Sequence, residues 1–215
     1  MHATVNVAKL DTDANAKVRR MVELARKHVE GDELGPAAVY YRMTLKETSP
    51  PKDGVERLAH GEACLWYARR SIAENRIGAA SDWYQRALQA DPLANDYRLE
   101  YCVKCLLPMG AYKNARIELE RAVRIEPNNP EAWRKLGGIH HAMGNAAVSI
   151  EAYDKAIELT PDDPYALTDR ATIAIDTADY QTVVEMCEPC LDGKLRGDAL
   201  HLLAMACYRQ AMHET

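Results

Sequence analysis

The sequence predicts an all-α fold of stacked helical hairpins, and three observations predict it. Three segments end alike, at Tyr84 to Pro92, Leu119 to Pro127 and Tyr153 to Pro161, so that their prolines stand 35 and 34 residues apart. Within each segment apolar residues recur three and four apart, the spacing of one helix face. The closing proline stops the helix because it has no N–H to donate and its ring clashes with the turn before it. Ahead of each lies a second amphipathic helix and a tight turn, as at Ala132 to Met143 followed by Gly144-Asn145. One such hairpin cannot bury its apolar stripe alone, whereas neighbours stacked in series build a continuous core.

Eleven helices and no strand are expected, beginning after an irregular or disordered segment at residues 1–13. Residues 14–30 align Val18, Met21, Leu24 and Ala25 on one face and end at Gly31-Asp32. Residues 35–47 align Ala37, Tyr41 and Leu45, and Ser49-Pro50-Pro51 ends them. Nine residues, Lys52 to His60, then interrupt the period. Asp53-Gly54 can start the next helix, at 54–74, and Val55, Leu58 and Ala59 run in phase with Cys64 and Tyr67, lengthening it by about two turns. This insertion is either neutral or a lip that shapes one end of a binding surface. Helices at 77–90 (Ala80, Tyr84, Ala87), 93–107 (Leu99, Cys102, Val103, Leu106) and 111–125 (Ala115, Leu119, Ala122) follow. Next come 130–143 (Trp133, Leu136, Gly137) and 146–159 (Ser149, Tyr153, Ala156). The pair 164–177 and 179–190 is expected to be the least regular, because Arg170 takes an apolar position and Pro189 falls where it would clash with the Glu185 carbonyl. The last helix, 197–211, carries Leu200, Leu203, Ala204 and Cys207. It is either a cap or the first half of a further repeat.

These residues resemble the tetratricopeptide repeat, whose 34-residue signature places large apolar residues at positions 4, 7, 11, 17 and 24, small ones at 8, 20 and 27, and proline at 32. The clearest copy is 130–163, with Trp133, Leu136, Gly137, Tyr153, Ala156 and Pro161 in place. Copies 61–94 and 96–129 match well, and 18–51 and 164–197 match more weakly, with 198–211 as a capping helix. The resemblance implies a single right-handed superhelical solenoid over 14–213, about five hairpins plus the cap. Small residues such as Gly137, Ala80, Ala87, Ala115, Ala122 and Ala156 would mark close helix crossings.

Composition narrows the function. Of 215 residues, 47% are hydrophobic, enough for a core and too many for a disordered chain. With 27 Lys+Arg against 32 Asp+Glu, the net charge of -5 disfavours nucleic acid or an anionic membrane as partner. The N-terminus has no continuous apolar leader and no window reaches the ~18 apolar residues of a spanning helix. The six cysteines suit reduced thiols, so a cytoplasmic location is expected. The pairs Cys102/Cys105 and Cys187/Cys190 sit two layers apart, too far to share one zinc at ~2.3 Å. Cys64, Cys102, Cys187, Cys190 and Cys207 take packing positions and are expected to act as small hydrophobes. His140 falls on a packing position and His141 on the ligand-facing side. No phosphate-binding loop, dinucleotide fingerprint, nucleophile elbow or His-Glu-x-x-His motif is present. No catalytic, cofactor or metal residue is expected.

What the resemblance implies instead is a partner surface. Ligands of this family lie along the first helix of each hairpin, at positions 2, 5, 9, 12 and 13. Mapped here, those positions include Arg26, Leu65, Arg69, Ile72, Tyr97, Glu100, Lys104, Leu107, Arg134, His141 and Tyr165. Position 9 is basic in three successive copies, at Arg26, Arg69 and Lys104, and Glu62, Glu100 and Glu131 interleave with it. The stripe either meets an acidic peptide with apolar anchors or is neutralised internally. The Lys/Asn combination of the family's chaperone-tail clamp is missing from the three clear copies. A scaffold or adaptor binding a protein or extended peptide is therefore expected. The alternatives are a recognition region of a larger enzyme, such as a glycosyltransferase, and a self-associating solenoid.

Overall fold

Five tight turns, one per expected repeat, set the hairpins. Asp32, Asn75, Gly110, Gly144 and Ala178 stand at the same repeat position, and each has a positive φ between 57° and 78°. In four of these turns the following residue donates its N–H to the carbonyl five residues back: Glu33 to His28 at 2.7 Å, and Arg76 to Ser71, Asn145 to His140 and Asp179 to Ala174 at 2.8 Å. A left-handed residue just past the last helical turn thus satisfies carbonyls that the helix leaves open.

The computed structural model describes residues 13–213; the irregular segment expected at 1–13 lies outside these, apart from Asp13, which begins the first helix. Among the described residues there are eleven helices and no strand: α1 Asp13–Glu30, α2 Leu34–Glu47, α3 Gly54–Ala73, α4 Ile77–Ala90, α5 Asn95–Tyr101, α6 Tyr112–Ile125, α7 Pro130–Ala142, α8 Ala146–Leu159, α9 Pro164–Asp176, α10 Tyr180–Cys187 and α11 Arg196–His213. A π turn, Cys102–Leu106, continues α5, and a 3-10 turn, Glu188–Cys190, follows α10. The chain divides into two compact units between Met109 and Gly110, so α5 and α6 of the third copy belong to different units.

In the first unit α1 packs on α2 and α3, α3 on α4, and α4 on α5. The insertion becomes the first two turns of α3. Asp53 caps it by accepting from the Glu56 N–H at 2.9 Å, and Asn15 of α1 donates to the other oxygen of Asp53 at 3.1 Å. Ala59 then packs with Val18, Met21 and Val22 of α1, while Leu58 points outward. The inserted turns therefore lengthen the α1–α3 seam.

The π turn accounts for the proline spacing of 35 rather than 34. Counted from the proline before it, Asn95 corresponds to Pro130 and Pro164, which makes Tyr101 and Cys102 the counterparts of Leu136 and Gly137; all four are buried. Counted back from Gly110, Cys105 and Leu106 correspond to Ile139 and His140, again all buried. One surplus residue therefore sits between Cys102 and Cys105, where the Leu107 N–H reaches the Cys102 carbonyl at 2.9 Å, five residues back instead of four. Sequence reasoning placed Cys102 and Val103 in the packing register here; the structure buries Tyr101 and Cys102 and leaves Val103 half-buried.

In the second unit each helix from α6 to α11 packs on the next, and α11 also touches α9. Asn129, Asp163 and Asp179 cap α7, α9 and α10 by accepting backbone N–H groups, and Pro130 and Pro164 occupy first-turn positions where no donor is needed. A Cβ on Gly137 would lie 3.0 Å from the Tyr153 ring, tighter than ordinary packing, so any other residue there would have to push the ring aside. Pro189 ends α10 after eight residues. Arg170 lies only 12% exposed and escapes isolation by donating through Nε to Asp154 on α8 at 2.9 Å. The capping helix lays Ala199, Leu202 and Ala206 on Leu167, Ala171, Val183 and Cys187.

Candidate partner-binding face

The residues expected to bind lie on first helices: α1, α3 and α5 in one unit, α7 and α9 in the other. In the first unit the basic stripe is laced to the next helix. Arg26 of α1 donates through Nε and Nη2 to the two oxygens of Glu62 on α3, Nε at 2.7 Å. Arg69 of α3 does the same to Glu100 on α5, with Nη2 at 2.8 Å. Each pair is a two-pronged, charge-assisted contact that fixes the guanidinium plane. The stripe at Arg26 and Arg69 is thus answered from within the fold, because each acid of one copy falls opposite the base of the copy before it.

The pairs are not buried evenly. The guanidinium side chains are 60% and 59% exposed and their glutamates 23%. Nη1 of Arg26 and of Arg69 has no partner among the described residues. Burial pushes the Glu100 carboxyl up, but Arg69, the Tyr84 hydroxyl beside it and nearby Lys104 overcome this and hold it below the usual range. The Tyr84 hydroxyl makes no hydrogen bond of ordinary geometry among the described residues, whereas Tyr41, at the corresponding place beside Glu62, donates its hydroxyl at 3.3 Å. Burial first, and the Glu62 charge second, push its pKa well up, so it stays a donor. A base, an acid on the next first helix and a tyrosine on the intervening second helix therefore recur as a unit. Lys104 is exposed and makes no ion pair among the described residues, while Ile72, Tyr97 and Leu107 are half-buried. Leu65 corrects the expectation: it is only 6% exposed. Gly61, Cys64, Leu65 and Ala68 form one continuous buried seam at helical spacing, which turns Leu65 inward.

In the second unit the expected residues are more fully engaged. Arg134 is 18% exposed, donates to Asp169 at 3.1 Å, and lies 5.5 Å from the centre of the Tyr165 ring. Burial raises the Asp169 carboxyl more than Arg134 lowers it. Lys194 approaches the Tyr165 ring at 5.9 Å. His141 meets Asp176 at 3.1 Å, and Arg209 of α11 reaches the same carboxylate at 3.8 Å. Arg134 and His141 thus tie α7 to α9.

No group of three or more His, Cys, Asp or Glu among the described residues is placed to hold a metal ion. Cys64, Cys102, Cys105, Cys187 and Cys190 are buried thiols, whereas Cys207, expected at a packing position, is exposed. Burial pushes the Cys64 thiol up to about 12 and those of Cys105 and Cys187 up to about 11, which keeps them protonated. No helix of the described residues is long and apolar enough to cross a membrane. Sequence reasoning passed over Trp66 and Trp83. They stand at repeat positions 6 and 23, outside the packing positions, and that displacement was the available signal.

The family model for the tetratricopeptide repeat matches residues 130–163. Superkiller protein 3 of Saccharomyces cerevisiae is 35% identical over 69 residues, which are 32% of this chain and 5% of that protein. The chain thus spans about a twentieth of that relative's length. Among solved structures, a tetratricopeptide repeat protein from Parabacteroides merdae superposes with a TM-score of 0.71 at 13% identity, covering 88% of this chain and 73% of that one. YrrB, a TPR protein with an unusual peptide-binding site, superposes with a TM-score of 0.68 at 19% identity, covering 88% and 93%. At such identities the likeness establishes the fold alone. Repeat signature, hairpin geometry and structural likeness agree: residues 130–163 form a tetratricopeptide repeat, and the chain has the fold of tetratricopeptide repeat proteins.

Proposed function

We propose that this chain is a non-catalytic interaction module whose first-helix face, on α1, α3 and α5, docks an extended segment of another protein. The fold is one generally used for protein–protein interaction, and the peptide-binding site of YrrB on the same fold supports the reading. One observation carries it: Arg26 and Arg69 each use one edge on a half-buried glutamate and hold the other edge outward, orientation already fixed. A guanidinium so held loses little side-chain freedom when an acceptor arrives. Lys104 adds an unpaired cation, and the half-buried Ile72, Tyr97 and Leu107 add apolar contact. Arg26, Arg69 and Lys104 against Glu62 and Glu100 leave the row with one net positive charge. The segment it suits carries carbonyls and a few carboxylates beside apolar side chains.

The test is binding of acidic-apolar peptides to wild type, Lys104→Ala and the Arg69→Ala, Lys104→Ala pair between about 50 and 500 mM salt. Lys104→Ala is expected to weaken binding and flatten its salt dependence. The double variant should weaken it further, because Glu100 then faces the ligand unpaired. Equal affinities for all three proteins at every salt concentration would remove this face from recognition.

A further inference from the structure

A second site lies on the first unit, away from the arginine row. The starts of α2 and α4 and the end of α3 enclose an open cavity of about 440 Å³. The chain has three tryptophans and no phenylalanine, and two of those tryptophans, Trp66 and Trp83, line this one cavity. Neither occupies one of the repeat's main packing positions, and both remain half-buried. Trp66 also packs on Tyr41 of α2, ring centres 5.2 Å apart, against the core of Ala25, Tyr41 and Ala63, so the wall is anchored in the hairpin packing while its outer surface faces the cavity.

The aromatic wall is already rigid. Trp83 stacks on Tyr67 with ring centres 4.9 Å apart, and Trp66 meets the edge of Tyr67 at the same distance. The Tyr67 hydroxyl donates to the Ala38 carbonyl at 3.0 Å, and the Arg86 guanidinium covers Trp83 at 4.8 Å. Aromatic rings held in place offer large contact area at little entropic cost on binding. The rim is charged: Arg70 donates to Glu74 at 2.6 Å, and Arg76 donates to the other oxygen of the same carboxylate. Two guanidiniums share one carboxylate, which leaves the rim with one net positive charge. At Gly35, on the wall, a Cβ would meet nothing within 4 Å, so the space above it is open.

We infer that this cavity is a second docking site, taking a protein segment that inserts one bulky apolar side chain against the indoles and sets an adjacent carboxylate on Arg70 and Arg76. Charge complementarity selects the carboxylate. The wall composition selects a protein side chain, because tryptophan, tyrosine and arginine are the residues on which protein interfaces concentrate their binding energy. The site needs neither Lys104 nor Arg69 and stands independently of the function proposed above.

The test uses the full chain carrying Trp133→Phe, so that indole emission reports on Trp66 and Trp83. The probe is a panel of nonapeptides with each amino acid in turn at the centre, flanked by acidic pairs or by basic pairs in a glycine-serine background. Peptides with an aromatic or large aliphatic centre and acidic flanks are expected to bind and shift the emission. Gly35→Phe, which fills open space, is expected to weaken that binding at least about tenfold. Arg70→Gln with Arg76→Gln should erase the preference for acidic flanks in the emission shift. Absence of any peptide whose binding Gly35→Phe weakens would overturn the inference. So would equal binding of acidic and basic flanks by the wild type.

Discussion

Ala178 is where the repeated turn is made with the least suitable residue. It holds φ at +58°, and its counterparts are Asp32, Asn75, Gly110 and Gly144. Asparagine and aspartate tolerate the left-handed region through local hydrogen bonds and glycine has no Cβ to clash, but alanine has neither advantage. The conformation costs an L-residue with a Cβ about 1–2 kcal/mol. Glycine in its place removes that cost but makes the unfolded chain freer, by about 0.4–1 kcal/mol. Ala178→Gly is therefore expected to stabilise the second unit by roughly 0.5–1 kcal/mol, the difference between these two effects. Ala178 is exposed, so the methyl takes no core contact with it. The mirror experiment is Gly144→Ala, where a Cβ meets nothing within 4 Å but φ is +78°. It should destabilise by a similar or larger amount, the strain and the entropy change again opposing one another. Thermal and urea unfolding followed by helical circular dichroism measure both; for a chain of this size 1 kcal/mol moves Tm by about 2–4 °C. A neutral or destabilising Ala178→Gly, together with a neutral Gly144→Ala, would refute the claim that φ at this position carries strain.

Gly137→Ala should cost about 1–3 kcal/mol, because the new Cβ would press on the face of buried Tyr153, and urea unfolding reads it directly. Glu100 has a folded pKa below its ordinary value of 4.5, so the stability it contributes is complete above that pH and is lost as pH falls through the lower folded value. Glu100→Gln should flatten the acid-unfolding curve in that window and leave the curve above it parallel to wild type. Native alkylation should modify Cys207 first, with the five buried cysteines reacting only as the protein opens. Mass mapping after short exposure to iodoacetamide checks the order, and early labelling of Cys64 would contradict its burial.

The helices were legible because prolines, turn residues and apolar spacing are local signals. The expected and observed ends of α4, α8 and α9 agree to within a residue. The candidate face was legible in membership but less so in state. That Arg26 and Arg69 share a repeat position could be read directly; that each would find a glutamate depended on which acid of the next copy came opposite. Position 2 supplies Glu62 in one case and position 5 supplies Glu100 in the other, so no fixed spacing announces the pairing. Leu65 was misplaced because position 5 borders the packing stripe: Val22 and Thr168, at the same position of other copies, are buried as well. The aromatic cavity was not legible because Trp66 and Trp83 stand outside the main packing positions, at repeat positions 6 and 23, and only the folded hairpin brings them to one wall.

The π turn of α5 acts as an expansion joint. It takes up a surplus residue within about one helical turn, so Tyr101 keeps step with the start of its helix and Leu106 with the turn at Gly110. A length change in this array therefore need not be confined to loops, and the interval between prolines is an elastic ruler. The joint also sets the azimuth of the residues beyond it. Lys104 is at repeat position 9 only when counted from Gly110 backwards; counted from Asn95 forwards that position belongs to Val103. The third cation of the row thus lies inside the widened turn, Cys102–Leu106, and owes its register to it. Closing the joint by removing one residue would restore a plain helix and, in the same stroke, rotate a different side chain towards the partner.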